Sequence, residues 1–297
     1  MNANEMTFGI EIETVMPAGT VNAGGYHCGL QIPGLPRGWN AQRDGSLSPP
    51  PGYAGVEVVS PVLKGAAGLE QIKTVCEWLA NVGAKVNRST GLHVHIGWTS
   101  PNNGPALKRL ACDVANFQKA LFASTGTHSR EAGGFCKSVR DDYGMQEKFQ
   151  RGNERVRMIS DRFMTLNVTN LGSSKNTVEF RCFAGTTNLT KILGYVRLCL
   201  GIVERAVNAK RPSRWNGVPV NATRKPYAGH GPGTIEILRL FFALGWLKGD
   251  SKVVLGDVQS PGLPTIEDCK AELMRLGAKY DGRVETSAPT SDDAENN

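Results

Sequence analysis

Three separate stretches of the chain alternate apolar and polar residues with period two. In residues 7–15, Phe8, Ile10 and Ile12 fall on one face and Glu11 and Glu13 on the other, the pattern of a half-buried strand. Residues 92–96 repeat it, with Leu92, Val94 and Ile96 against His93 and His95, and residues 177–183 set Val178, Phe180 and Cys182 against Glu179 and Arg181. Residues 56–62 and 163–168 are two further strand candidates. The first ends near Pro61, and a turn signal at Asn170-Leu171-Gly172-Ser173-Ser174 follows the second. Elsewhere the period becomes helical. Leu69, Ile72, Val75, Cys76 and Leu79 run toward a stop at Gly83, and Leu107, Leu110, Val114, Phe117 and Leu121 follow Pro105. Helices are also expected at 192–207, 235–247 and 266–276. Residues 16–53 and 126–161 are rich in turn-forming residues; the first reads as loop with short strands and the second as a variable insertion or loop. Strands that do not alternate regularly with helices predict an α+β fold rather than a doubly wound parallel sheet.

Composition narrows the class without choosing a function. Of 297 residues, 40% are hydrophobic and 21% charged, which excludes a largely disordered chain. One large domain over 1–280 is expected, followed by a disordered acidic tail at 281–297. No run approaches the ~18 apolar residues of a membrane span, and no basic-then-apolar leader opens the sequence. The seven cysteines form no Cys-x-x-Cys pair, which excludes paired-thiol zinc fingers and points to buried thiols in a reducing, cytoplasmic setting. The net charge of +7 hides an asymmetry: residues 281–297 hold five acids and one Arg, leaving about +11 on the rest. Between 205 and 235 there are six basic residues and no acid, so 208–233 reads as a basic loop. Such a balance favours anionic partners, whether phosphates, an acidic substrate or nucleic acid.

The chemistry lies in the polar faces of the strands. Each pair alone has an ordinary reading: Glu-x-Glu as a solvated sheet face, His-x-His as a hydrogen-bonded one, Glu-x-Arg as a local ion pair of little worth. Together, if the faces look into one concavity, they make a crowded nest of carboxylates and imidazoles beside an arginine. Crowding and desolvation make such a nest costly, and a divalent cation relieves the cost. An oxygen-dominated set suits Mg²⁺ or Mn²⁺ better than a structural zinc, and hard cations of this kind are the usual partners of polyphosphates.

These residues carry a family resemblance. Ser89-Thr90-Gly91-Leu92-His93-Val94-His95-Ile96 resembles the Gly-Ser-Gly-Met-His-x-His strand of glutamine synthetases. Thr177-Val178-Glu179-Phe180-Arg181 resembles their Ile-Glu-Val-Arg strand, with Asn188 downstream much as an Asn-Pro is there. Gly9-Ile10-Glu11-Ile12-Glu13 resembles the opening Glu-x-Glu strand of glutamine synthetase and glutamate–cysteine ligase. With Trp39, Asp44-Gly45-Ser46 and Gly55-Val56-Glu57-Val58-Val59-Ser60-Pro61, the chain is most similar to the amidoligase family, over roughly residues 7–205. The resemblance implies a curved, mainly antiparallel sheet like the glutamine synthetase catalytic domain, with helices on its convex side and ATP and Mg²⁺ (or Mn²⁺) on its concave face. By the same resemblance Glu11, His93 and Glu179 hold the metal that bridges the nucleotide phosphates. Glu13 and Glu57, with Asp44, hold the metal nearer the acceptor carboxylate. His95 contacts phosphate, Arg181 stabilises the transferring phosphoryl group, and Arg162 contacts phosphate or substrate. The implied reaction is ATP-dependent amide formation through an acyl phosphate, between a carboxylate and an amine carried by small molecules, peptides or protein side chains. A site contained in one chain is expected, since the Glu-x-Glu strand opens at residue 7. Two other readings compete. A metal-dependent hydrolase would act without nucleotide, and a basic nucleic-acid binder would use the stretch around Lys210-Arg211-Pro212-Ser213-Arg214-Trp215.

Overall fold

A computed structural model describes residues 2–99, 103–131, 133–139, 161–209, 232–247 and 261–282. The expectations for the acidic tail beyond residue 282, most of the basic loop and most of the 126–161 insertion fall outside them. After a 3-10 turn at Ala3–Glu5, strand β1 covers Thr7–Pro17, β2 Leu30–Gln31, β3 Asn40–Gln42, β4 Tyr53–Val59 and β5 Leu63–Lys64. Helix α1 (Gly65–Asn81), strand β6 (Gly91–Gly97) and helix α2 (Asn103–Ala123) follow. Then come β7 (Leu166–Asn167), β8 (Thr177–Ala184), α3 (Leu189–Asn208), α4 (Gly233–Leu244) and α5 (Ile266–Tyr280).

The eight strands form one sheet in the order β2-β3-β4-β1-β6-β8-β7, with β5 paired to the start of β1. Every pairing between these strands is antiparallel, so the α+β expectation holds. The alternation read from the sequence decides which face is which. Ile10, Ile12, Val58, Leu92, Val94, Ile96, Val178, Phe180 and Cys182 are fully buried. Helices α2 and α3 contact β8 and β6. Each large apolar side chain removed from water in this way contributes roughly 1.5–3 kcal/mol. Phe183 of β8 stacks on Tyr195 of α3 at 4.2 Å between centroids, and the Tyr195 hydroxyl donates to the Ser124 carbonyl at the end of α2. The fully buried Arg197 of α3 donates to the carbonyl of Pro264 and to the Cys269 sulfur, which pins α5 to the core. Six of the seven cysteines are buried free thiols; Cys28 is exposed. Among the described residues no helix is long and apolar enough to cross a membrane.

Element boundaries differ from the periodicity where local chemistry intervenes. The strand expected at 56–62 ends at Val59, because Pro61 has no N–H to donate and the Ser60 hydroxyl takes the Ile10 N–H instead. The strand expected at 163–168 shrinks to two residues. The backbone at 163 and 165 bonds to Lys137, whose N–H donates to the Phe163 carbonyl and whose carbonyl accepts from Thr165. Helix α4 stops at Leu244 rather than 247, where Gly245 takes φ +76 and its N–H closes back on the last turn. Asn188, matched above to an Asn-Pro, is the N-cap of α3 and accepts from the Lys191 N–H.

Candidate active site

The face of the sheet away from α2 and α3 carries the polar halves of the alternating strands. Antiparallel register then sets them side by side. Glu11 is opposite His93 and Glu13 opposite Glu57, while His95 is opposite Glu179. The row continues outward to Gln42, opposite Glu57 on β3, and Asn167, opposite Glu179 on β7. Between Leu92 and Val94 the β6–β8 register slips, because three steps of β8 span two of β6. This β-bulge re-aims the strand around Arg181. Asp44 arrives from the loop after β3, where its carboxylate accepts from the Ser46 N–H at 2.7 Å. Ser48 and Asn87, joined through Ser89 and a backbone carbonyl, tie that loop to the start of β6.

All nine residues singled out from the sequence line one cavity of about 510 Å³: Glu11, Glu13, Asp44, Glu57, His93, His95, Arg162, Glu179 and Arg181. His93 sits at the centre, with Nδ1 3.0 Å from Glu11 and 3.6 Å from Glu179, and Nε2 3.5 Å from Glu13. His95 Nε2 lies 3.2 Å from Glu11 and 3.9 Å from Glu179, yet makes no hydrogen bond there although buried. Arg181 Nη1 donates to Glu179 Oε1 and lies 3.4 Å from His93 Nδ1. Arg162 stands at the exposed rim, its Nη1 3.0 Å from the Tyr26 hydroxyl and its guanidinium over Phe163 at 4.8 Å.

This face is far from a solvated one: Glu13, Glu57, Glu179 and His93 are each no more than 5% exposed. Burial alone would raise the Glu11 carboxyl, but attraction to His95 and His93 outweighs it and holds that carboxyl well below the ordinary value. Glu179 is likewise lowered, as His95, His93 and Arg181 overcome its burial. His95 is raised, because Glu11 and Glu179 oppose its desolvation. Glu57 has no cation beside it: burial, then the charges of Glu11, Glu13 and Asp44, push it up to about 8 against the pull of Gln42.

Three groups in this cavity have ligand atoms within 4.8 Å of one another: Glu11, Glu57 and His93; Glu11, His95 and Glu179; and Glu13, Asp44 and Glu57. The Glu57 carboxyl, raised by burial and by Glu11, Glu13 and Asp44, is what a divalent cation would relieve, and His95 Nε2 is buried without a well-aligned hydrogen bond, so the residues present fit one. The sharing of Glu11 and Glu57 between groups places two candidate cation positions side by side.

Periodicity did not find several neighbours of these residues. Gln42 Nε2 donates to Glu57 Oε2, and Asn167 Nδ2 donates to Glu179 Oε2 at 2.6 Å. Each outer carboxylate is thus held by an amide at the directly opposite register position. Lys175, Tyr26, His27, Phe135, Phe163 and Arg130 also line the cavity. Asn167 is the one with a legible signal, a polar residue in an otherwise apolar strand candidate. Gln42 and Arg130 come from loop-like stretches without any period.

The sequence matches the model of the family described as "Putative amidoligase enzyme" over residues 34–203. The match begins after β1, so Glu11 and Glu13 precede it. No curated protein matches. Among solved structures, the complex between prokaryotic ubiquitin-like protein Pup and its ligase PafA aligns with TM-score 0.45 and 13% identity. That alignment covers 95% of this chain and 65% of that one.

Proposed function

The chain belongs to the amidoligase family, and on that premise we propose that it is an ATP-dependent carboxylate–amine ligase acting through an acyl phosphate. The observation that carries the reading is the pair of overlapping carboxylate–imidazole groups that share Glu11, with Arg181 ion-paired to Glu179, inside one cavity. A carboxylate and an amine do not condense in water, because the carboxylate oxygen is a poor leaving group. In the proposed reaction the γ-phosphoryl group moves from ATP to a carboxylate oxygen, giving ADP and an acyl phosphate. The amine then attacks the carbonyl carbon, phosphate departs with the C–O electron pair, and the amine nitrogen loses a proton.

Glu11, Glu179 and the two histidines would hold one divalent cation, Mg²⁺ or Mn²⁺, and Glu13, Asp44 and Glu57 a second. Bound there, such ions supply positive charge against phosphate and carboxylate oxygens and act as Lewis acids. The work of the chain's own residues is orientation and charge. Asn167 and Gln42 fix the outer carboxylates in place, and Thr177 Oγ1, 3.3 Å from His95 Nδ1, orients that ring. Arg181 presents a planar donor beside the carboxylate cluster for the oxygens of the transferring group. Either a small molecule or a peptide or protein side chain would supply the acid and the amine.

The test is phosphate release from ATP with panels of acids and amines. The ligase reading expects release that needs Mg²⁺ or Mn²⁺, an acid and an amine together. Turnover of a candidate substrate without nucleotide would support a hydrolase instead. Within this reading, Arg181→Lys should lower kcat by ~10–100-fold with little change in KM for ATP, since a point charge does not reproduce the guanidinium fork. A rise in KM alone would mean that Arg181 only binds the ground state.

A further inference from the structure

Helix α5 lies beyond the stretch that matches the family model, which ends at residue 203. Its C-terminal turn nevertheless reaches the wall of the cavity. The Tyr280 hydroxyl donates to Glu131 Oε2. Burial first, and then that carboxylate, push the hydroxyl above its ordinary value and keep it a donor. The Tyr280 ring packs on His128 at 3.8 Å between centroids. His128 Nε2 lies 3.0 Å from the Tyr280 carbonyl, and a carbonyl only accepts, so Nε2 carries a proton. Asp281, the next residue, accepts from the Gly233 and Thr234 N–H groups at the start of α4. Packing around this turn is close: a Cβ on Gly126 would come within 2.8 Å of Leu276, and one on Gly277 within 2.6 Å of Ile237. The end of α5 is thereby fixed against α4 and against the segment after α2.

Between His128 and Glu131 stands Arg130, 7% exposed, on the cavity wall. Residues 127–131 belong to no helix or strand, so contacts such as those with Tyr280 place them. The Arg130 carbonyl accepts from the Gly133 N–H and from Cys136 Sγ, and Nη2 donates to the Arg181 carbonyl at 2.9 Å. Arg181 has no opposite residue on β6, because it lies in the bulge. Arg130 thus holds a peptide that the β6–β8 register does not. Turning that peptide would swing the Arg181 guanidinium away from Glu179 and His93. We propose that Tyr280 is a positioning residue for Arg181, acting through Glu131 and Arg130, so that a helix outside the family's matched stretch aims the guanidinium in the cavity.

Two readouts test this. The kinetic one rests on the ligase reading: kcat and KM for ATP, from phosphate release. Tyr280→Phe keeps the ring on His128 and removes only the hydroxyl. It should lower kcat ~10-fold and leave KM for ATP within ~2-fold, because Arg181 acts on the transferring group. Glu131→Ala should do the same, whereas Glu131→Gln, which still accepts from Tyr280, should stay within ~2-fold of wild type. Arg130→Met removes the donor to Arg181, and adding Tyr280→Phe to it should lower kcat no further. The second readout needs no substrate. Backbone hydrogen exchange by mass spectrometry should quicken ~5-fold or more over residues 177–184 in Tyr280→Phe and Glu131→Ala, with residues 7–17 as in wild type. An unchanged kcat in Tyr280→Phe, or a rise in KM alone, overturns the proposal. So do losses that multiply in the double variant, and exchange that quickens equally over 7–17, which marks a global loss of stability. If Tyr280→Phe fails to fold, Glu131→Ala and Glu131→Gln decide. Faster exchange confined to 177–184, in a protein that never releases phosphate from ATP, would keep the link from α5 to Arg181 and sink the ligase reading.

Discussion

Glu179→Gln is expected to lower ATP-dependent phosphate release by ~10³-fold or more and to remove metal-dependent ATP binding, with the fold retained. The side chain is 3% exposed and meets Arg181, His93, His95 and Asn167 at once. Glutamine keeps the shape, and its amide oxygen can still accept from Asn167. What it removes is the negative charge that draws both imidazoles and the Arg181 guanidinium together and that would face a cation. The fold should survive because the apolar face of β8, through Val178, Phe180 and Cys182, is untouched. Calorimetry with ATP, with and without Mg²⁺, and a thermal melt check both halves. An unfolded variant would mean that the Glu179–Arg181 pair is structural. A folded variant that still binds and turns over ATP would remove Glu179 from the site.

The second large effect concerns Glu57. Its carboxyl is pushed up to about 8 from an ordinary value of 4.5, first by burial and then by Glu11, Glu13 and Asp44. Between those two values the folded metal-free protein holds a proton that the unfolded chain has released. Stability therefore falls as pH rises through that window and is lowest above about pH 8. At 1.36 kcal/mol per unit the upper bound is ~5 kcal/mol, and a loss of several kcal/mol is the expected scale. His95, raised above its ordinary value, acts with the same sign: its stabilisation is complete below about pH 6.5 and fades as pH rises through its folded value. Glu11 and Glu179 are lowered, so their contributions are lost only in acid, below the window. Melting at pH 5.5 and 8.5 with a chelator should show a drop of at least ~5 °C. Mg²⁺ or Mn²⁺ should abolish most of the drop, since a cation replaces the proton between the carboxylates. Glu57→Gln should flatten it without metal and leave the smaller share due to His95. A metal-free protein equally stable at both pH values would mean that Glu57 is not crowded as its surroundings indicate.

Much of this site was legible in the chain. Period-two alternation in β1, β6 and β8 set Glu11 with Glu13, His93 with His95, and Glu179 with Arg181, each pair on one face opposite core residues. That pattern is local, because successive side chains on a strand point to opposite sides whatever the strand pairs with. The family resemblance added Glu57, Asp44 and Arg162, and the structure brings all of them to one cavity. The ends of elements were less legible, because they turn on single hydrogen bonds. Ser60 taking the Ile10 N–H ends β4 three residues before the end that periodicity expects, while the strand starts three residues earlier at Tyr53, and the 163–168 candidate shrinks to Leu166–Asn167, its first half bonding to Lys137 instead.

The sequence by itself determined the composition of each strand face, and hence that carboxylates, imidazoles and an arginine would be carried opposite a hydrophobic core. Only the tertiary structure decided which strands are neighbours and in what register. Pairing β1 between β4 and β6 put Glu13 beside Glu57 and Glu11 beside His93, and pairing β6 with β8 put His95 beside Glu179. The same pairing decided that Gln42 and Asn167 hold the outer carboxylates and that a bulge turns Arg181 toward His93. Those contacts join residues from 12 to more than 80 positions apart. No local period encodes such a distance, because the free energy that selects the register comes from burying the whole apolar face of the sheet at once.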